Sequence, residues 1–196
     1  MAQVLLMVFF LVKHFIDMMN KIDKACSVAF TGHRSISASG IERVRSEVRK
    51  KVRLLFSMGF RNYLCGMAVG FDMLAAEEVV KLKKEGYNDI RLVAVVPFRG
   101  QSTKWNDAEK ARYNDLLIKA DDVITLSERY YNGCCLRRND YMLSHACGLI
   151  AYFNGQPKGG TFYTISRAKK MNIDIVNIFQ QLTEVSQVNI YQLACL

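Results

Sequence analysis

The chain has 196 residues, 51% of them hydrophobic and 23% charged, with 12 glycines and 2 prolines. This suits one domain with a full core and excludes a disordered or linker-rich chain. The formal net charge of +9 fits anionic partners (phosphates, nucleotides or nucleic acid) as readily as it fits a solvated basic surface.

Residues 1–24 form an N-terminal extension. Its apolar part, AQVLLMVFFLV (2–12), is far shorter than the roughly 20 residues of a spanning helix. Lys13 follows that run instead of preceding it, unlike a signal peptide. Two readings stand: a helix packed on the domain or a partner, or a start codon assigned too early, with Met18 or Met19 the beginning. The second is favoured because a complete domain starts just afterwards.

From residue 25 to 180, apolar runs alternate with helical patterns. CSVAFTG (26–32) predicts a buried strand ending in a glycine turn. Residues 40–59 predict an amphipathic helix, because Ile41, Val44, Val48, Val52 and Leu55 recur at three or four. Its basic run RVRSEVRKKVR (43–53) reads as an exposed face, and Gly59 as a C-terminal cap. A strand (62–66), a helix (70–86) and a strand stopped by Pro97 (90–98) follow. A helix over 102–120 has Ser102 as its expected cap. Then come a strand (122–127), a helix (136–146), a strand (147–153), a helix (161–172) and a strand (173–179). Residues 181–196 read as a C-terminal tail. The alternation predicts an α/β, Rossmann-like three-layer sandwich with a mostly parallel sheet. Ligands of such sheets collect where loops leave the C-terminal strand ends.

Six cysteines occur, none in C-x-x-C spacing, and adjacent Cys134 and Cys135 make a poor zinc knuckle. No metal or cofactor is implied, and the cysteine usage fits a reducing cytoplasm.

The turns at the strand ends hold the candidate ligand residues. In TGHR (31–34), Thr31 and Gly32 bring hydroxyl and backbone to a ligand, and Arg34 suits a phosphate. His33 reads as polar lining, since no orienting carboxylate stands by it for base chemistry. In CGMAVGFD (65–72), Gly66 and Gly70 permit close backbone approach, and Asp72 falls in the first helical turn. Glu77 and Glu78 read as solvated helix residues. In PKGGTFYT (157–164), Gly159, Gly160 and Thr161 lead into a helix start, a ready anion site. PFRGQSTKW (97–105) adds Arg99, Gln101 and Trp105, whose ring suits base stacking or packing. RRND (137–140) adds Arg138 and Asn139 for phosphate or ribose.

Together these motifs, with LIAYFNGQPKGGTFYTISRAKKMNIDIVNI (149–178), resemble the SLOG superfamily and its YpsA-like bacterial and phage branch. The resemblance implies a Rossmann-like fold that binds nucleotides or nucleotide-derived ligands through the glycine turns. The LOG branch hydrolyses nucleoside monophosphates and is similar in its G-G-x-G-T-x-x-E pattern. Where that pattern has glutamate, three residues past Thr161, this chain has Thr164, which cannot serve as a carboxylate. The DprA branch binds single-stranded DNA, and GMAVGFD is similar to its GLARGID run. The expectation is therefore a binder of a nucleotide or of an NAD- or ADP-ribose-derived small molecule, sensing or sequestering it. A nucleotide N-glycosidic-bond hydrolase and a single-stranded-DNA-binding protein, with Tyr130, Tyr131, Arg137 and Arg138 as contacts, are the alternatives. No membrane partner is expected, and self-association stays open.

Overall fold

In the computed structural model, residues 22–179 are described, so the expectations for most of the N-terminal extension and for the tail lie outside the described residues. The elements run β1 (Ser27–Gly32), α1 (Ile41–Ser57), β2 (Asn62–Cys65), α2 (Phe71–Lys84), β3 (Arg91–Val96), α3 (Asp107–Lys119), β4 (Asp122–Thr125), α4 (Cys134–Ser144), β5 (Gly148–Tyr152), α5 (Gly159–Lys170) and β6 (Asp174–Asn177). The six strands form one sheet in the order β4-β3-β2-β1-β5-β6, and every neighbouring pair is parallel. The fold is a three-layer, Rossmann-like α/β sandwich. The winding reverses between β1 and β5, which pair from Val28 with Gly148 to Gly32 with Tyr152. That reversal opens a crevice at the C-terminal strand ends.

Strand alternation builds the two cores. Val28 and Phe30 of β1 face one side with Tyr63 and Cys65 of β2, against α1, α2 and α3. Ala29 and Leu64 face the other side, against α4 and α5 through Met142, Leu143, Ile165 and Ala168. Successive strand side chains point to opposite faces, so a sheet covered on both sides needs uninterrupted apolar runs. α1 presents Val44, Val48, Val52 and Leu55 to the first core, each at most 3% exposed. Burying such side chains is worth about 1.5–3 kcal/mol apiece.

The polar side of α1 differs from the expected solvated face. Arg45 pairs with Glu77 at 2.6 Å and Glu78 at 2.7 Å, Arg49 with Glu78 at 2.7 Å, and Arg53 with Glu85 at 2.7 Å. Glu78 is fully buried, and Lys81 also reaches it at 3.0 Å. Burial alone would raise its carboxyl, but the hydrogen bonds from Arg45, Arg49 and Lys81 outweigh that and hold it below its usual range. Much of the basic run is thus spent on joining α1 to α2.

Three helix starts also differ from expectation. α3 begins at Asp107, capped by Asn106, whose side chain accepts from the Glu109 N–H at 2.9 Å. Ser102 instead closes a preceding turn, its carbonyl accepting from Trp105 N–H. α4 starts two residues early, behind Gly133 at φ +88°. α5 likewise starts at Gly159 and takes both glycines into its first turn.

Candidate functional site: a glycine-opened helix start beside a second cavity

Two cavities lie over the C-terminal strand ends. The smaller, about 400 Å³, is floored by Thr31, Gly32, His33 and Arg34 from the end of β1. Lys158, Gly159, Gly160 and Thr161 at the start of α5 form a second wall, and Ala68, Asp72, Cys135, Leu136 and Asn139 complete it. The larger, about 760 Å³, is built from the loops after β3 and β4. Arg99, Gln101, Trp105 and Tyr130 line it, and Arg34 borders both cavities.

The α5 start carries the anion chemistry of the smaller cavity. A helix leaves its first N–H groups without intrahelical partners, and its dipole makes that end positive. At α5 no side chain caps those groups, the first turn holds no acid, and Lys158 stands at the N-cap. Gly159 has φ +83°, and the positions where Cβ atoms would sit on Gly159 and Gly160 are open space. The backbone is therefore exposed toward the cavity, which Thr31, Arg34 and Thr161 also line.

The other glycine turn, between β2 and α2, is filled by the protein. A Cβ on Gly66 would collide with the Arg138 guanidinium and the Asp72 carboxylate, and one on Gly70 with the backbone of Arg34. Gly70 has φ +93°, and Phe71 N–H donates to His33 carbonyl at 3.1 Å. Neither glycine lines either of these two cavities; each lets one chain segment press on another. Met67, between them, is buried in left-handed backbone at φ +56°, an uncommon conformation for a residue with a side chain. Gln101 Nε2 donates to its carbonyl at 2.8 Å, and Arg138 Nη1 donates to the Gly66 carbonyl.

Asp72 occupies the start of α2, where its carboxylate accepts weakly from Ala68 N–H at 3.4 Å. Burial pushes its pKa up to about 6, against the opposing pull of Arg138, the Ala68 N–H and Arg34. It is the acidic side chain lining the smaller cavity.

The remaining sequence-named residues divide by role. Arg138, 6% exposed, lines neither of these two cavities; its Nε donates to Asn139 Oδ1 at 2.8 Å. Asn139 lines the smaller cavity, and its Nδ2 donates to Thr164 Oγ1 at 2.8 Å. Thr164 is fully buried and donates to the Gly160 carbonyl at 2.8 Å. The hydroxyl standing where LOG-type enzymes carry glutamate thus braces the α5 start from behind. His33 Nε2 accepts from Asn154 N–H at 3.0 Å, tying the β1 and β5 loops together while the residue borders the cavity. This places the ring proton on Nδ1. Arg99 grips Glu128 at 2.7 and 3.1 Å on the surface. Trp105 packs edge-on against Tyr113 at 5.2 Å and borders the larger cavity, so it serves packing and lining together.

Glu77, expected as a solvated helix residue, instead pairs with Arg45 and with Arg112 at 2.7 Å, and borders neither of the two cavities. Sequence reasoning missed Lys158 and Cys135. A lysine directly before two glycines and a helix start was the available signal for the first. Nothing local marks the second. Among the described residues, no group of three or more His, Cys, Asp or Glu side chains is placed to hold a metal, and no helix is long and apolar enough to cross a membrane.

The family model described as the YspA SLOG family (YpsA) matches residues 28–183. The chain belongs to this family. A UPF0398 protein of Shouchella clausii is 28% identical over 161 residues, covering 77% of this chain and 86% of that one. Another, from Halalkalibacterium halodurans, is 29% identical over 133 residues, 67% of this chain and 70% of that one. Among solved structures, DNA processing protein A from Helicobacter pylori, described with a single-stranded DNA binding mode, aligns with TM-score 0.55 at 17% identity. That alignment covers 79% of this chain and 65% of the longer one. At that identity the likeness establishes the shared fold of this SLOG domain.

Proposed function

We propose that the protein binds a phosphate-bearing nucleotide or an NAD- or ADP-ribose-derived small molecule, and holds it without cleaving it. The observation that carries this is the uncapped, acid-free α5 start, opened by Gly159 and Gly160 onto a cavity that Lys158 and Arg34 border. Backbone N–H groups at a helix start beside fixed cations are a ready phosphate site. Thr164, buried behind that start, supports holding over hydrolysis, because the position supplies no carboxylate to the cavity. Asp72 is the remaining acid there, and the hydrolase reading would depend on it.

Gly160→Asp tests the site. A carboxylate at the open position repels phosphate, so the thermal shift given by a nucleotide panel disappears while the melting temperature without ligand changes little. An unchanged shift in the variant rejects the site, and free base released by the wild type rejects holding in favour of hydrolysis.

A second reading, single-stranded DNA binding, is favoured by the exposed Tyr130 and Tyr131 beside Arg129 and Arg137. Exposed rings interleaved with cations suit stacked bases. A steep loss of oligonucleotide affinity with salt, in a protein that no small nucleotide stabilises, would select it.

A further inference from the structure

We propose that the ligand is a nucleoside diphosphate, or a larger nucleotide built on one. It spans both cavities, with its outer phosphate at the α5 start, its inner phosphate at Arg34 and its base in the larger cavity. This rests on the phosphate reading above. Arg34 borders both cavities, so it stands where the middle of a spanning ligand falls. The same short loop adjoins both spaces: Ala68 lines the smaller one, while Gln101 of the larger one is anchored to Met67 carbonyl at 2.8 Å.

The larger cavity has the composition of a base site. Its volume of about 760 Å³ lies within the roughly 300–1,000 Å³ of small-molecule pockets. Phosphate recognition needs no rings, yet Phe98, Trp105 and Tyr130 line it. Tyr130 is 67% exposed and is held edge-on by Phe98 at 5.3 Å, so a ring face is free for stacking. Base–aromatic stacking adds affinity that a bare phosphate cannot gain. At the rim, the Glu128 carboxylate offers an acceptor and its partner Arg99 a donor to a base edge. In the same wall, Gln101 Oε1 is the one buried side-chain acceptor without a partner among the described residues. A monophosphate confined to the smaller cavity would use none of these groups.

Trp105 is the chain's sole tryptophan, so its emission reports directly on the larger cavity. The test titrates pyrophosphate and the mono- and diphosphates of adenosine, guanosine, cytidine and uridine, following fluorescence and heat. At least one diphosphate is expected to bind about tenfold or more tighter than its monophosphate and than pyrophosphate, and to change Trp105 emission. Pyrophosphate is expected to bind without that change. Tyr130→Ala should bring the best diphosphate to within about threefold of pyrophosphate, leaving pyrophosphate unaffected, and Arg34→Gln should erase the difference between di- and monophosphate. Equal affinity for pyrophosphate and every nucleoside diphosphate, or equal weakening of both by Tyr130→Ala, would overturn the proposal and leave the phosphate site standing. If pyrophosphate itself fails to bind, or still binds to Gly160→Asp, both the phosphate reading and this extension fall.

Discussion

The two glycine turns of this protein look alike as strings and behave as opposites in space. Between β2 and α2, the room made by Gly66 and Gly70 is taken by Arg138, Asp72 and the Arg34 backbone. Before α5, the room made by Gly159 and Gly160 is left open to a cavity. One turn serves cohesion, and the other stays open at the proposed phosphate site. The difference comes from what approaches each from elsewhere in the chain, which is why glycine count alone says little about binding.

The contrast can be broken by giving each turn a side chain. Gly70→Ala adds a methyl at φ +93° against the Arg34 backbone, which cannot yield as a flexible side-chain tip does. A loss of about 3 kcal/mol or more is expected in denaturant unfolding, if the variant folds at all. Near-wild-type stability would show that the first turn is not packed as described.

Asp72→Asn sharpens the contrast through pH. In the folded protein the carboxyl titrates near 6, against an ordinary value of 3.8. The folded state therefore keeps a proton that the unfolded chain has already lost. The stability that this carboxyl contributes is present below pH 3.8, falls as pH rises to about 6, and is gone above it. Asparagine does not ionise, so the variant should gain about 3 kcal/mol on the parent between pH 3 and pH 8. A constant difference across that range would refute the raised value.

Thr164→Val removes the hydroxyl that bonds the Gly160 carbonyl and Asn139. A cost of about 1–2 kcal/mol follows from leaving a buried amide short of one partner. Ligand affinity should fall with it, because the α5 start loses its brace. The smallest effect is Gly160→Ala. Stability should hold or rise by about 0.5 kcal/mol, since alanine suits a helix better than glycine, while phosphate binding weakens as the methyl enters the cavity. Destabilisation there would erase the contrast with Gly70→Ala.

The fold was legible because apolar runs and three-to-four spacing are local signals. The stripe from Val44 to Leu55 needed only the sequence around it. Helix starts were less so. Asn106 caps α3 where Ser102 seemed suitable, since both residue types cap and the choice depends on where the loop after β3 closes. α5 starts at Gly159 although glycine is a poor helix former, because φ +83° there turns the chain into the helix. Glu78 looked solvated because its partners Arg45 and Arg49 come from another helix.

The site was legible in part. Thr31 to Arg34, Asp72, Asn139 and Gly159 to Thr161 come together around one cavity, and Arg99, Gln101 and Trp105 around its neighbour. Gly66, Gly70 and Arg138 stand behind it. Separating lining from support required the third dimension, because a close approach leaves no trace in local spacing.

The reversal of winding between β1 and β5 has a mechanical consequence. The smaller cavity straddles that seam, taking Thr31–Arg34 from the β1–β4 half and Lys158–Thr161 from the β5–β6 half. Neither half owns a whole site. A chain cut in the exposed stretch 128–133 would give two fragments that a nucleotide, bound as proposed, clasps together, so reassembly of the split protein would report the ligand's presence.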